Sequence, residues 1–287
     1  MRLEDENESS NVEDRRGGGG GRRVGGLGIG AVAVALVVSY FTGIDPRTLL
    51  GVAENFQGGG VEQASPIDPA TDAQAGMKAE MAKILHKTET SWGEIFQQMG
   101  GQYEAPTLVL FRGRTPTACG TGQAAMGPFY CPGDRRVYLD MGFFDDMAQR
   151  FSAGGDFARA YVIAHEIGHH VQNLLGISEQ TQRLRQRMSE VEYNKVSVRI
   201  ELQADCFAGV WANHANRVKP FLDPQDVDEA LRAANAIGDD MLQKQARGVV
   251  VPDSFTHGSS AQRVRWFKVG FDNGSVKTCD TFKAREL

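Results

Sequence analysis

The chain has 287 residues, of which 41% are hydrophobic and 23% are charged, a balance typical of globular proteins. A length of this order allows one large domain or two small ones. The formal net charge of −5 at pH 7 gives no broad basic surface, which argues against a nucleic-acid-binding protein.

The first 44 residues predict a tail followed by a membrane anchor. Residues 1–23 contain few side chains able to build a core, and we interpret them as a disordered cytoplasmic tail. Residues 24–44 are uncharged and, as a helix, long enough to cross a bilayer. Two Arg-Arg pairs precede this segment, which places the N-terminus in the cytoplasm and the rest of the chain outside. A cleaved signal peptide and a buried core helix are the alternatives.

These features predict a single-pass protein of the inner (cytoplasmic) membrane, with its main domain periplasmic or otherwise extracytoplasmic. Residues 45–76 mix Gly, Pro, Ala and acidic residues without a sustained period, which is typical of a linker. The folded domain is then expected over 77–287, about 210 residues, which is enough for one sizeable core.

Within this domain the hydrophobic periodicity predicts an α+β fold that is mostly helical with a small sheet. The predicted strands cover 107–111 and 135–140. The predicted helices cover 77–100, 141–151, 157–175, 178–216, 223–245 and 259–271.

All four cysteines lie on the outer side of the predicted membrane span. An even number of cysteines in an oxidising compartment indicates disulfide bonds. Cys119 and Cys131 flank a Gly-rich turn and form the obvious local pair, which leaves Cys206 to pair with Cys279. A four-cysteine zinc site is the alternative, although the chain has no C-x-x-C spacing.

Residues 165–169 read HEIGH, which fits the H-E-x-x-H motif of metal-dependent hydrolases. His165 and His169 are four residues apart, so on a helix their imidazoles lie on one face and can reach one metal ion. Glu166 adjoins the first ligand and can approach a metal-activated water as a general base. This segment therefore predicts a catalytic Zn²⁺ site.

A catalytic zinc ion needs a third protein ligand. Position 175, where the longer metzincin motif has its third histidine, is Leu175. Glu201 lies 32 residues after His169 and is the predicted third ligand, since that distance allows a turn and an antiparallel return. Asp205, one helical turn further, is predicted to accept a hydrogen bond from the outer nitrogen of a ligand histidine.

Four segments together resemble the bacterial putative neutral zinc metallopeptidase family: AYVIAHEIGHHVQNLLG, RIELQADCFAGVWA, GPFYCP and DSFTHGSSAQRVRWF. The pairing of HEIGH with ELQAD is the gluzincin pattern. The resemblance covers residues 77–285, includes the four cysteines, and implies a zincin-like domain behind an N-terminal anchor. It implies a peptide or protein substrate but no particular one, because the family name rests on the motif.

The other histidines have different predicted roles. His257 matches a family segment that places a histidine near the metal, where it can donate a hydrogen bond to the oxyanion; a structural contact at a helix N-terminus is the alternative. His170 lies about 140° around the helix from His165, so it cannot easily share the metal. His86 and His214 are predicted to lie on solvated helix faces.

Two further expectations concern the surroundings of the site. By analogy with gluzincins, the strand at 135–140 is expected to be the edge strand that pairs with an extended peptide. Asp239 and Asp240 are adjacent acids on a predicted helix, and we interpret both as solvated.

The leading hypothesis is a membrane-anchored zinc endopeptidase that hydrolyses peptide bonds through a metal-activated water, with Glu166 as its base. The alternative is a zinc-containing binding or chaperone-like module with little or no turnover. Glu166 favours the enzyme, because a purely structural zinc site needs no base. The oligomeric state and the natural substrate do not follow from the sequence.

Overall fold

The computed structural model describes residues 1–17, 67–68 and 70–287. Residues 1–14 and 72–287 form one unit; 15–71 form a second, of which only 15–17, 67–68 and 70–71 are described. The predicted anchor over 24–44 and most of the predicted linker lie outside the described residues. Among the helices that are described, none combines the length and apolar character needed to cross a bilayer.

The described residues form mostly helices and a small sheet, which confirms the predicted α+β fold. The strands are β1 (Val12–Asp14), β2 (Thr107–Phe111), β3 (Arg114–Thr117), β4 (Gly120–Gln123), β5 (Phe129–Cys131) and β6 (Arg136–Asp140). The α-helices are α1 (Ala75–Gln98), α2 (Gly142–Phe151), α3 (Asp156–Leu174), α4 (Ile177–Arg185), α5 (Glu190–Val218), α6 (Asp226–Ala236), α7 (Asp239–Arg247) and α8 (Ser260–Asn273).

The main sheet has the strand order β1-β2-β6-β5. Strands β1, β2 and β6 run parallel, whereas β5 pairs with β6 in the antiparallel direction. The prediction that 135–140 forms the edge strand is therefore wrong. The run of buried residues Val137, Tyr138 and Leu139 is typical of a central strand, which is covered on both faces. The edge on that side of the sheet is β5.

The prediction of a disordered tail is wrong for residues 1–14. Strand β1 pairs with β2, Leu3 is buried, and Glu6 forms an ion pair with Lys87 at 2.9 Å. Composition indicates whether a segment can build a core of its own. This segment instead uses backbone pairing and polar contacts to a core that the rest of the unit supplies. Residues 18–23 lie outside the described residues.

Two predicted helices are each divided in the structure. The tract 178–216 breaks after α4, and a capping box at Ser189 begins α5. The Ser189 backbone N–H donates to the Glu192 carboxylate, and the Glu192 backbone N–H donates to the Ser189 hydroxyl oxygen. The tract 223–245 breaks between α6 and α7 at Gly238. A capping serine and a glycine interrupt helices whose hydrophobic periodicity continues on both sides, so periodicity alone does not reveal these breaks.

Helix α5 lies at the centre of the helical layer and is crossed very closely by α8. A Cβ atom at Gly209 would lie 2.1 Å from the Phe267 carbonyl oxygen, and one at Gly270 would lie 1.9 Å from the Cys206 carbonyl oxygen. Both glycines therefore allow the two backbones to pack together. This contact fixes the position of α5, which contains Glu201 and Asp205.

Both predicted disulfide bonds are present, Cys119–Cys131 and Cys206–Cys279. The first holds β5 to the turn after β3, and the second joins α5 to the C-terminal segment. The alternative of a four-cysteine zinc site is excluded, because no cysteine is free.

Candidate metal centre

Helix α3 places His165 and His169 one turn apart on the same face. Their Nε2 atoms are 3.2 Å apart, and both rings point toward the same small volume. Most of α3 is buried among apolar residues, so these polar side chains lie in an environment where they need partners.

Helix α5 supplies Glu201 to this volume. The Glu201 carboxylate lies 3.1 Å from His165 Nε2 and 3.5 Å from His169 Nε2. The helices can approach because Gly168 faces Ala204, where a Cβ atom would lie 2.9 Å from the Ala204 carbonyl oxygen. The glycine inside HEIGH therefore brings the third side chain within reach of the two histidines.

The residues fit a tetrahedral zinc site. One ligand atom from each of His165, His169 and Glu201 lies within 4.8 Å of the other two. A tetrahedral zinc ion with bonds of about 2.0–2.1 Å has ligand–ligand edges of about 3.3 Å, close to the separations seen here. Two imidazoles and one carboxylate are the usual donors of catalytic zinc sites and leave a fourth position open.

The outer nitrogen of His165 is held by a buried cluster. Its Nδ1 lies 2.8 Å from Asp205, which also accepts hydrogen bonds from Tyr161 at 2.6 Å and from Arg263. A carboxylate can only accept, so Nδ1 of His165 is protonated and Nε2 faces Glu201. The structure thus places Asp205 against the outer nitrogen of His165, a candidate ligand.

The electrostatics of this cluster favour positive charge at the centre. Burial opposes protonation of His165, but Asp205 outweighs it and raises the pKa of His165 to about 10. Burial disfavours the Asp205 anion, yet Arg263 and His165 lower the pKa of Asp205 to about 2. A site that attracts protons this strongly also attracts a cation, which competes with them.

The outer nitrogen of His169 is held by a residue that the sequence analysis missed. Its Nδ1 lies 2.9 Å from Oε1 of Gln172, three residues further along α3. The spacing places both side chains on one helix face, but a glutamine at that position is too common to have been recognised.

Glu166 lies in the same cleft as the three candidate ligands. The cleft has a volume of about 610 Å³ and is lined by α3, the segment 126–132, α4, the start of α5 and His257. An open space of this size beside the ligand atoms can admit a segment of extended peptide.

The structure places His257 at the rim of this cleft, held by Asp239. The Asp239 carboxylate accepts backbone N–H bonds from Thr256 at 2.7 Å, His257 at 2.6 Å and Gly258 at 3.1 Å, and lies 3.2 Å from His257 Nδ1. The expectation that Asp239 is solvated is wrong, since it is 8% exposed. Its carboxylate is directed inward by the three amides of this loop.

Two other histidines have structural partners. His170 lies between the Tyr130 hydroxyl at 2.9 Å and the Glu104 carbonyl at 2.6 Å, away from the metal centre, as its helical position predicted. His214 is 3% exposed and lies 2.7 Å from Glu94. The prediction of a solvated face for His214 is therefore wrong, because its ring is buried and has the Glu94 carboxylate as a partner.

The chain is similar in sequence to known proteins. A sequence model described as putative neutral zinc metallopeptidase matches residues 1–282. Uncharacterized protein YpfJ of Escherichia coli (strain K12) is 48% identical over 291 residues, spanning 98% of this chain and 99% of that protein. Uncharacterized protein Rv2575 of Mycobacterium tuberculosis is 40% identical over 250 residues, spanning 80% of this chain and 84% of that protein. No solved structure is significantly similar to the chain. The chain therefore belongs to the putative neutral zinc metallopeptidase family.

Proposed function

We propose that the protein is a zinc-dependent endopeptidase. The observation that supports this most directly is the position of Glu166, in an open cleft beside His165, His169 and Glu201. Three donors alone would suit a structural metal. A carboxylate next to them in a peptide-sized cleft suits the hydrolysis of a bound substrate.

Zinc held by the three donors would polarise the substrate carbonyl and lower the pKa of water. Glu166 accepts the proton of the attacking water and then delivers it to the nitrogen of the leaving amine. His257 donates a hydrogen bond to the former carbonyl oxygen as negative charge develops there. Asp239 accepts from Nδ1 of His257, so Nε2 serves as this donor when the ring is protonated.

The charge environment of His257 supports that role. Burial lowers its pKa, but Asp239 and Glu201 together raise it above the ordinary value. A protonated or strongly polarised ring is the better hydrogen-bond donor.

Strand β5 is the proposed platform for the substrate backbone. It forms one edge of the main sheet, and both Phe129 and Tyr130 line the cleft. Backbone pairing along this edge would bind extended peptides with little dependence on their sequence. The disulfide at Cys131 and the hydrogen bond that the Tyr130 hydroxyl donates to His170 hold the strand in place.

We further propose that the domain functions outside the cytoplasm, since its two disulfide bonds need an oxidising compartment. Membrane association through residues 24–44 belongs to the same proposal and is supported by their uncharged sequence.

The proposal is tested by incubating the full chain with a diverse peptide library and mapping cleavage by mass spectrometry. We expect Glu166→Gln to bind zinc like the wild type but to lose about 10²-fold or more in cleavage rate. His257→Ala should lower kcat by about 10²- to 10³-fold with KM little changed and zinc retained. Glu179→Gln, an exposed position on α4, is the matched control.

A Glu166→Gln variant that cleaves at the wild-type rate would exclude Glu166 as the base. A wild-type chain that binds zinc but cleaves no peptide would instead support the binding or chaperone-like module.

A further inference from the structure

The two candidate histidine ligands are oriented by chemically different groups. His165 is held by the Asp205 carboxylate, whereas His169 is held by the neutral amide of Gln172. We infer that Gln172 and Gln203 form an amide relay, which orients His169 and fixes the tautomer with which it can bind a metal. Gln172 lines the cleft but bonds to His169, and neither glutamine belongs to the set of candidate ligands, so both are positioning residues.

The first step concerns the orientation of the Gln172 amide. Its nitrogen lies 2.7 Å from the Ile200 carbonyl oxygen, which can only accept a hydrogen bond. The NH₂ group must therefore face Ile200, and Oε1 must face His169. Since Oε1 can only accept, Nδ1 of His169 carries a proton, and in the neutral ring Nε2 presents a lone pair to the space between the three candidate ligands.

The second step repeats this logic at Gln203. Its nitrogen donates to the Cys279 carbonyl oxygen at 2.9 Å, so its Oε1 faces Gln172 and accepts the second N–H of that amide at 3.1 Å. Two backbone carbonyls, Ile200 and Cys279, thus determine both amide orientations.

Burial makes this arrangement difficult to reverse. Gln172 is 1% exposed and Gln203 is 5% exposed, so water cannot replace a lost partner. Turning either amide over would place two acceptors in contact and leave buried polar groups without partners, which is unfavourable away from water. The relay therefore maintains one tautomer of His169 in the absence of any ion.

A neutral relay also differs electrostatically from a second carboxylate. Asp205 is already compensated by Arg263 at 2.9 Å. An additional anion at position 172 would face the acceptors of Ile200 and Gln203 and would have no cation of its own. An amide supplies the acceptor that His169 requires and two donors for the groups behind it.

The experiment measures the zinc affinity of the full chain by competition with a chromophoric chelator. Gln172→Met keeps the size of the side chain but removes both hydrogen-bonding groups, and should weaken zinc binding by about 10- to 100-fold. Gln203→Met should weaken it less, because Gln172 keeps its bond to Ile200. Gln180→Met, an exposed glutamine on α4, should bind like the wild type.

A second measurement reports the tautomer directly. The ¹⁵N spectrum of the His169 ring, in metal-free protein at a pH where that ring is neutral, should show the proton on Nδ1. In Gln172→Met the tautomer protonated on Nε2 should become populated. A purely structural role for Gln172 would lower stability without changing this signal.

The inference rests on the metal site of the proposed function but not on peptide hydrolysis. A zinc-binding chain that cleaves nothing would refute the peptidase and leave the relay intact. Unchanged zinc affinity in folded Gln172→Met would overturn the relay. So would a wild-type ring protonated on Nε2, a result that can be obtained even if neither variant folds.

Discussion

Gly168 shows how one residue can determine the geometry of the centre. It is the second x of H-E-x-x-H, and its α-hydrogens face Ala204 on α5. Gly168→Ala should push α5 away, lower the free energy of unfolding by about 1–3 kcal/mol and weaken zinc binding, because Glu201 moves with that helix. Urea unfolding and chelator competition measure the two effects.

Gly93→Ala is the matched control for this substitution. Gly93 also lies inside a helix, but a Cβ atom there would meet nothing within 4 Å. Alanine is the better helix former, so Gly93→Ala should stabilise the chain by up to about 1 kcal/mol and leave zinc binding unchanged. Equal effects of the two substitutions would show that helix propensity, rather than the α3–α5 contact, governs Gly168.

Single residues differ in how far the sequence could predict them. His165, His169, Glu201 and Asp205 follow from helical spacing, because residues four apart share a face, and the structure brings these four together. Gln172 contacts His169 within one helix, but its orientation depends on Ile200 and Gln203 of α5. Asp239 acts through contacts to residues 256–258 that depend on tertiary structure. Neither residue belongs to a distinctive sequence pattern.

At the scale of elements, the two disulfide bonds should have separable effects. The Cys206–Cys279 bond closes a loop of 73 residues and should contribute about 4 kcal/mol, whereas Cys119–Cys131 closes 12 residues and should contribute about 3 kcal/mol. The Cys206–Cys279 bond also holds the backbone carbonyl of Cys279, which accepts a hydrogen bond from Gln203. Replacing both Cys206 and Cys279 by alanine should therefore weaken zinc binding as well as lower stability.

The corresponding double variant of Cys119 and Cys131 is the control. It should lose stability but keep zinc affinity near the wild-type value, because this bond holds β5 rather than α5. Urea unfolding of the metal-free chains and chelator competition report the two quantities. Equal losses of zinc affinity in both double variants would contradict a specific link through Cys279.

Helices were easier to predict than strands. Apolar residues that recur at helical spacing over long stretches predict α1, α3 and α5. The capping box at Ser189 and the break at Gly238 interrupt such patterns where they otherwise continue. Strand β5 has three residues, too few for any alternation to be visible. The sequence therefore does not predict β5, which borders the cleft, and the neighbouring strand β6 is predicted in its place as the edge that pairs with peptide.

At the scale of the whole molecule, the pairing of β1 with β2 restricts how the chain can be arranged about a membrane. Hydrogen-bonded neighbours in one sheet cannot lie on opposite sides of a bilayer. Residues 1–14 and 72–287 must therefore share a compartment. A single crossing by residues 24–44 would separate them, so a single-pass anchor and the β1–β2 pairing exclude each other.

Cysteine labelling distinguishes the two arrangements. Ser10 and Gln180 are both exposed, and each can be replaced by cysteine in a separate variant. A membrane-impermeant maleimide applied to intact cells should label Ser10→Cys and Gln180→Cys to the same extent. Labelling of Gln180→Cys alone would show that the N-terminus remains in the cytoplasm and that β1 does not form in the cell.

The same pairing has a consequence for biogenesis. If β1 forms and the domain is exported as proposed, residues 12–14 cover one edge of the main sheet and must be exported together with a domain synthesised long after them. The four-stranded sheet can then be completed only once both parts have been translocated, and until that moment the outer edge of β2 stays open to other extended segments. Export and the pairing of this edge would be steps of one process. If the first residues stayed in the cytoplasm, the exported domain would have the outer edge of β2 unpaired.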